Sequence, residues 1–178
     1  MKTLLRDLVT DIRMLFRVPV SAFFTVVFPS LMLIIMMASY GNPDIGSGIR
    51  LSDKYVLIAS GMGLVPLSLI TFPSWICSSV ESSYLLRLKY FHVSLARVAT
   101  SNALAHMVIA LCGTAATLAV GVLFYDTRIP GLPTLISYLL QLIVVTASLM
   151  LFGAALAFIV RQTAVVIAVG LVLMFVVY

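Results

Sequence analysis

Residues Thr134–Val160 read TLISYLLQLIVVTASLMLFGAALAFIV, with no charged side chain between the Pro133 turn and Arg161. As an α-helix this run would extend about 40 Å, more than the roughly 30 Å of hydrocarbon in a bilayer. Backbone groups in lipid have no water to bond, and a helix satisfies them within the run itself. The run is therefore expected to be a membrane-crossing helix.

Working outward, similar charge-free runs lie at Val20–Tyr40, Tyr55–Val80 and Val98–Tyr125, and a last one at Gln162–Tyr178. Pro130-Gly131-Leu132-Pro133 makes the turn between the third and fourth, and Arg161 alone separates the fourth from the fifth. The expected fold is all-α, a polytopic helix bundle of about five transmembrane spans forming one domain over residues 1–178. The last run reaches Tyr178 with no flanking charge, so the natural chain is expected to continue into a further helix; a tilted or thin-membrane fifth helix that ends outside is the alternative.

Composition agrees. Hydrophobic residues make up 62% of the chain and charged residues 10%, against about 45–50% and about 25% for a soluble domain. A water-soluble fold of this length cannot hide that much apolar surface. The basic residues sit singly at the ends of apolar runs rather than in a patch, which excludes nucleic acid as a partner and points to membrane orientation. Assigning connecting segments alternately puts Lys2, Arg6, Arg13, Arg17, Arg87, Lys89, Arg97 and Arg161 on one side, and only Arg50, Lys54 and Arg128 on the other. The N-terminus is thus expected in the cytoplasm, with the chain in the plasma (inner) membrane.

Ahead of the first span, Leu4, Leu5, Leu8, Val9, Ile12, Leu15 and Phe16 share one side of a 3.6-residue period, with Arg6, Thr10, Arg13 and Arg17 opposite. Residues 1–18 are expected to form an amphipathic helix in the interface, its basic side chains among lipid phosphates. A signal peptide is the competing reading, but the apolar run exceeds the roughly 7–15 residues of a signal core.

Motifs for chemistry are scarce. No G-x-x-x-x-G-K-[ST] loop is present, so ATP must be split elsewhere. His92 and His106 lack carboxylate or cysteine neighbours at ligand spacing, and neither a metal nor another cofactor is expected. Cys77 and Cys112 fall inside apolar runs and read as small hydrophobes. Ser60-Gly61 lacks the preceding glycine and the base a nucleophilic serine needs, so an enzyme is not expected.

Ala59, Gly61, Gly63, Gly113, Thr117, Gly121, Gly153 and Ala157 read as small residues for close helix packing. Pro29, Pro66 and Pro73 should kink their helices. Asn102, His106 and Gln141, the deepest polar side chains, should turn from lipid toward protein or a pathway.

Between the second and third spans lies Glu81-Ser82-Ser83-Tyr84-Leu85-Leu86-Arg87-Leu88-Lys89-Tyr90-Phe91-His92-Val93-Ser94. Leu85, Leu88 and Phe91 can share a helix face while Arg87 and Lys89 face water or a partner; a plain positive-inside loop is the alternative.

The order of a basic N-terminal helix, a first span, a short outer loop, a long second span and this Glu-led segment resembles the type-2 ABC transporter permeases. Their segment has the form E-x-x-G-x-L-x-x-L-x-x-x-P-x-S. Glu81, Leu85 or Leu86, Leu88 and Val93-Ser94 follow it, while Tyr84 stands at the glycine and His92 at the proline. The resemblance covers the whole chain and implies six spans in the complete protein. It implies an exporter subunit that pairs with a second copy or a related permease, docks on cytoplasmic ABC ATPase subunits, and performs no covalent chemistry. Glu81, Leu85, Arg87, Leu88 and Lys89 would belong to the coupling helix, aided by the interfacial helix with Arg6, Arg13 and Arg17. The alternative function is a membrane scaffold or assembly subunit that moves nothing.

Overall fold

The computed structural model describes residues 2–17, 23–46 and 48–177, and within them the fold is all-helical. Seven helices follow in order: α1 (Lys2–Arg17), α2 (Phe23–Tyr40), α3 (Leu51–Glu81), α4 (Tyr84–Tyr90), α5 (Leu95–Tyr125), α6 (Leu132–Val160) and α7 (Thr163–Val177). An isolated antiparallel bridge, Asp44 with Arg50, is the nearest approach to a strand among the described residues.

Four of these, α2, α3, α5 and α6, are long and apolar enough to cross a membrane, and that fits a membrane-embedded protein. The fifth expected span, α7, is apolar but has only 15 residues, about 22 Å of helix against roughly 30 Å of hydrocarbon. Residues 20–22 of the first expected span lie outside the described residues, as do Met1 and Val18 of the expected interfacial helix and Tyr178 of the last span.

The other helices begin earlier than the charge-free runs, because charged and turn residues cap their first turns rather than stand outside them. At α3 the Arg50 backbone N–H donates to Asp53 Oδ2 at 2.9 Å, so Asp53 and Lys54 lie inside the helix. At α5 the Ser94 hydroxyl accepts from the Arg97 N–H at 3.4 Å, and α6 takes Pro133 into its first turn, where a missing N–H costs nothing.

Helix α3 is the hub. Its first half, up to Pro66, packs on α2 and α5; its second half, from Phe72, packs on α6 and α7. Between the halves, Leu67–Thr71 widens into a π-type turn in which the Phe72 N–H reaches back five residues to the Leu67 carbonyl. Helix α2 opens with the same device over Phe23–Val27. Both turns run directly into Phe-Pro, at Phe28-Pro29 and at Phe72-Pro73. Proline has no N–H for the carbonyl four residues back, and an i+5 pattern lets the next residue serve that carbonyl instead.

Glycines on neighbouring helices receive these turns. A methyl on Gly63 would fall 2.6 Å from Pro29 Cγ, and one on Gly113 would collide with the Thr25 carbonyl. A methyl on Gly153 would sit 2.6 Å from both Pro73 Cγ and the Ser68 carbonyl, and one on Gly170 2.6 Å from the Leu69 carbonyl. The backbones approach too closely for any side chain, and such contacts hold helices together in lipid, where burial from water contributes nothing. Ala59, Thr117, Gly121 and Ala157 are also buried as the packing reading expects, but Gly61 is not used, since a methyl there meets nothing within 4 Å.

Candidate functional site

The Glu-led segment forms its expected short helix, α4, at the end of the bundle where α1, the end of α3 and the starts of α5 and α7 meet. Leu85 and Leu88 face inward, half-buried, while Arg87 and Lys89 are exposed, as a shared apolar face requires. Phe91 departs from the expectation. Helix α4 ends at Tyr90 and the chain swings away, leaving Phe91 72% exposed beside the exposed Leu86 and Tyr90.

The swing has a definite cause. His92 takes φ 57° and Ser83, on the other side of α4, φ 58°, both in the left-handed region. Proline, locked near −65°, cannot adopt the His92 conformation, so His92 does not replace a proline turn; it makes a different one. The left-handed residue at the front is Ser83, one position before Tyr84, so Tyr84 itself needs no glycine conformation.

Glu81 ends α3 with its carboxylate turned to α7. Oε1 accepts from the Thr163 backbone N–H at 2.8 Å and Oε2 from the Thr163 hydroxyl at 2.6 Å. One side chain thus caps the first turn of α7, where donors have no intrahelical partner and a negative charge is favoured. Glu81 ties two helices together rather than reaching outward.

Helix α1 lies against the start of α5. Arg6, Arg13 and Arg17 are exposed, and Asp7, Leu8, Asp11, Ile12 and Leu15 face the bundle, half-buried. Val9, expected on the apolar face, is exposed, because two aspartates define the inward side. Asp7 pairs with Arg97 at 3.0 Å, and the Ser101 hydroxyl donates to Asp11 Oδ2 at 2.6 Å. Burial raises the Asp11 carboxyl above the ordinary aspartate range; the Ser101 hydrogen bond pulls it back and the Asp7 charge adds to the rise. A pocket of about 260 Å³ between α1, α4 and α5 is lined by Asp7, Asp11, Tyr84, Leu88, Val93 and Arg97.

No family model, curated protein or solved structure matches this chain.

Deeper in the bundle, Asn102 and His106 are buried one helical turn apart on α5. His106 Nδ1 lies 2.9 Å from the Asn102 carbonyl and its ring meets Phe72 edge to face at 5.4 Å. His106 Nε2 and Asn102 Oδ1 have no hydrogen-bond partner among the described residues. Gln141, the third expected inward group, is exposed instead, one position off the buried stripe Leu142, Thr146, Met150, Gly153 and Ala157 of α6. The Ser60 hydroxyl donates to the Leu57 carbonyl at 2.8 Å and lies against the Tyr138 hydroxyl. Cys77 is buried, Cys112 exposed, and both are free thiols.

Three residues of the α1 end were missed by sequence reading: Asp7, Asp11 and Thr163. The aspartates carried a signal, since two acids four apart on a basic helix need partners; Thr163 carried none.

Proposed function

We propose that this chain is the membrane-spanning permease subunit of an ATP-driven exporter of the type-2 ABC class. It forms the substrate pathway as a dimer, with a second copy or a related permease, and couples to separate cytoplasmic ATPase subunits. The N-terminus and α4 face the cytoplasm of the plasma (inner) membrane, with α1 as the amphipathic interfacial helix and its Arg6, Arg13 and Arg17 toward lipid headgroups.

The observation that carries the reading is the linkage of α4. It sits between the end of α3 and the start of α5, shares a pocket with α1, and follows a carboxylate that caps α7. A push on its exposed Leu86, Arg87, Lys89 and Tyr90 face would reach both halves of the bundle. Long-range coupling needs one element that both sites bias, and α3, divided by its π-type turn, is that element in this proposal. The permease itself does no covalent chemistry.

The test is charge reversal, Arg87→Glu with Lys89→Glu, in proteoliposomes carrying the partner ATPase. Membrane insertion should persist while permease-dependent stimulation of ATP hydrolysis falls severalfold; unchanged stimulation would refute the coupling role. Co-purification with a P-loop ATPase separates this reading from a scaffold, which would pair with another membrane protein without nucleotide dependence.

A further inference from the structure

At the end of the bundle opposite α1, the loops after α2 and α5 enclose a pocket of about 500 Å³ that the transport reading leaves unused. Its floor is apolar, formed by Val56, Leu57 and Leu118, and its rim carries Lys54 and Arg128. Neither of these two cations has an ion-pair partner among the described residues, whereas nearby Arg50 is paired with Asp126 at 3.4 Å. The one carboxylate on the rim, Asp53, is already engaged, accepting from the Arg50 N–H at 2.9 Å and the Arg128 N–H at 2.8 Å.

One wall of the pocket is rigidly held. Thr127 lines the pocket and is 6% exposed, with its hydroxyl buried against Gly121 of α5. The residue is strapped in place: Asp126 ends α5 at φ 51°, and the Thr127 N–H donates to the Gly121 carbonyl at 3.2 Å. Asn42 braces the other wall, donating to the Tyr125 carbonyl at 2.9 Å and accepting from the Ser52 N–H at 3.0 Å.

An apolar floor and two cations at the mouth without an ion-pair partner among the described residues suit an amphiphile with an anionic head. We propose that this pocket binds an anionic phospholipid of the leaflet at this end of the bundle. Its phosphodiester is held by Lys54 and Arg128, with the first methylenes of one acyl chain on Val56, Leu57 and Leu118. The site depends on the chain being membrane-embedded and not on its being an exporter.

Native mass spectrometry of the purified chain in neutral detergent tests this, with phosphatidylglycerol, phosphatidylcholine of the same acyl chains, and inorganic phosphate as probes. Phosphatidylglycerol should bind the tightest site in preference to phosphatidylcholine, and each cation removed, Lys54→Gln or Arg128→Gln, should weaken it roughly fivefold. Leu118→Trp should weaken both lipids by filling the floor, and phosphate should not compete. Arg13→Gln with Arg17→Gln, at the other end, should leave the preference intact. The proposal fails if the Lys54/Arg128 double variant, eluting as a monodisperse species, keeps its preference, or if the Arg13/Arg17 variant loses it. Full competition by phosphate would also overturn it, by showing a plain anion site.

Discussion

The two Phe-Pro turns use one local device on different partners. In the first, the Pro29 ring meets Gly63 of α3 and the Thr25 carbonyl meets Gly113 of α5; in the second, the Pro73 ring meets Gly153 of α6 and the Leu69 carbonyl meets Gly170 of α7. Helix α3 supplies the receiving glycine in the first crossing and the proline in the second, so it joins two half-bundles. The crossings differ in stiffness. Backbone presses closest at only one glycine of the first, Gly113, because the tightest neighbour of Gly63 is a ring carbon and the Thr25 carbonyl stands at 3.1 Å. In the second, carbonyls press at 2.6 Å on both. A proline ring can repucker by a few tenths of an ångström, but a carbonyl moves only with its helix.

The largest expected effect is at the carbonyl contacts. Gly113→Ala and Gly170→Ala should each destabilise the bundle by about 3 kcal/mol, the upper range for overpacking a rigid site. Denaturant unfolding in detergent measures this, and tolerance of either change would break the account of the crossings. Next comes the asymmetry itself: Gly153→Ala, which meets a carbonyl at 2.6 Å as Gly170 does, should also cost about 3 kcal/mol and Gly63→Ala nearer ~1 kcal/mol. Equal costs would show that the ring is no softer than the carbonyl. Gly61→Ala, facing open space, serves as the control and should be neutral or slightly stabilising.

The smallest effects concern how each crossing is tethered at the α1 end. Helix α5, which carries Gly113, is held by α1 through Arg97 and Ser101; α7, which carries Gly170, is held by Glu81 through Thr163. Because burial raises the Asp11 carboxyl, docking of α1 is favoured below the ordinary aspartate pKa of about 4 and loses that advantage as pH rises through the raised value. Asp11→Asn, which still accepts from Ser101, should remove this dependence and slow hydrogen exchange of α1 amides at neutral pH. Glu81→Ala should act in the opposite sense on the other tether, speeding exchange in the first turn of α7 while leaving α1 unchanged. If the two variants alter the same amides, the tethers are not separate.

The long helices were legible because lipid-length runs depend on composition alone, and the inward face of α4 because Leu85 and Leu88 obey the helical period. Glycine positions were legible as small residues, but not which of them receive a turn. Gly61 and Gly63 look alike in sequence, and only the course of α2 decides that one meets Pro29 and the other nothing. Gly170 and Thr163 were missed for the same reason, since the Glu81–Thr163 contact spans 82 positions of chain. Gln141 was misplaced by one position on α6, because depth in the membrane is readable from sequence while rotation about the helix axis is set by neighbours. The Thr127 pocket depends on loop geometry, which apolar periodicity does not encode.

The left-handed residues at Ser83 and His92 bear on how α4 behaves mechanically. The left-handed basin open to an ordinary side chain is small, so each acts as an elbow with little angular play, unlike a glycine hinge. A seven-residue rod held between two stiff elbows makes a poor shock absorber. In the proposed coupling, a displacement at its outer surface would be handed on to α3 and α5 with little lost on the way.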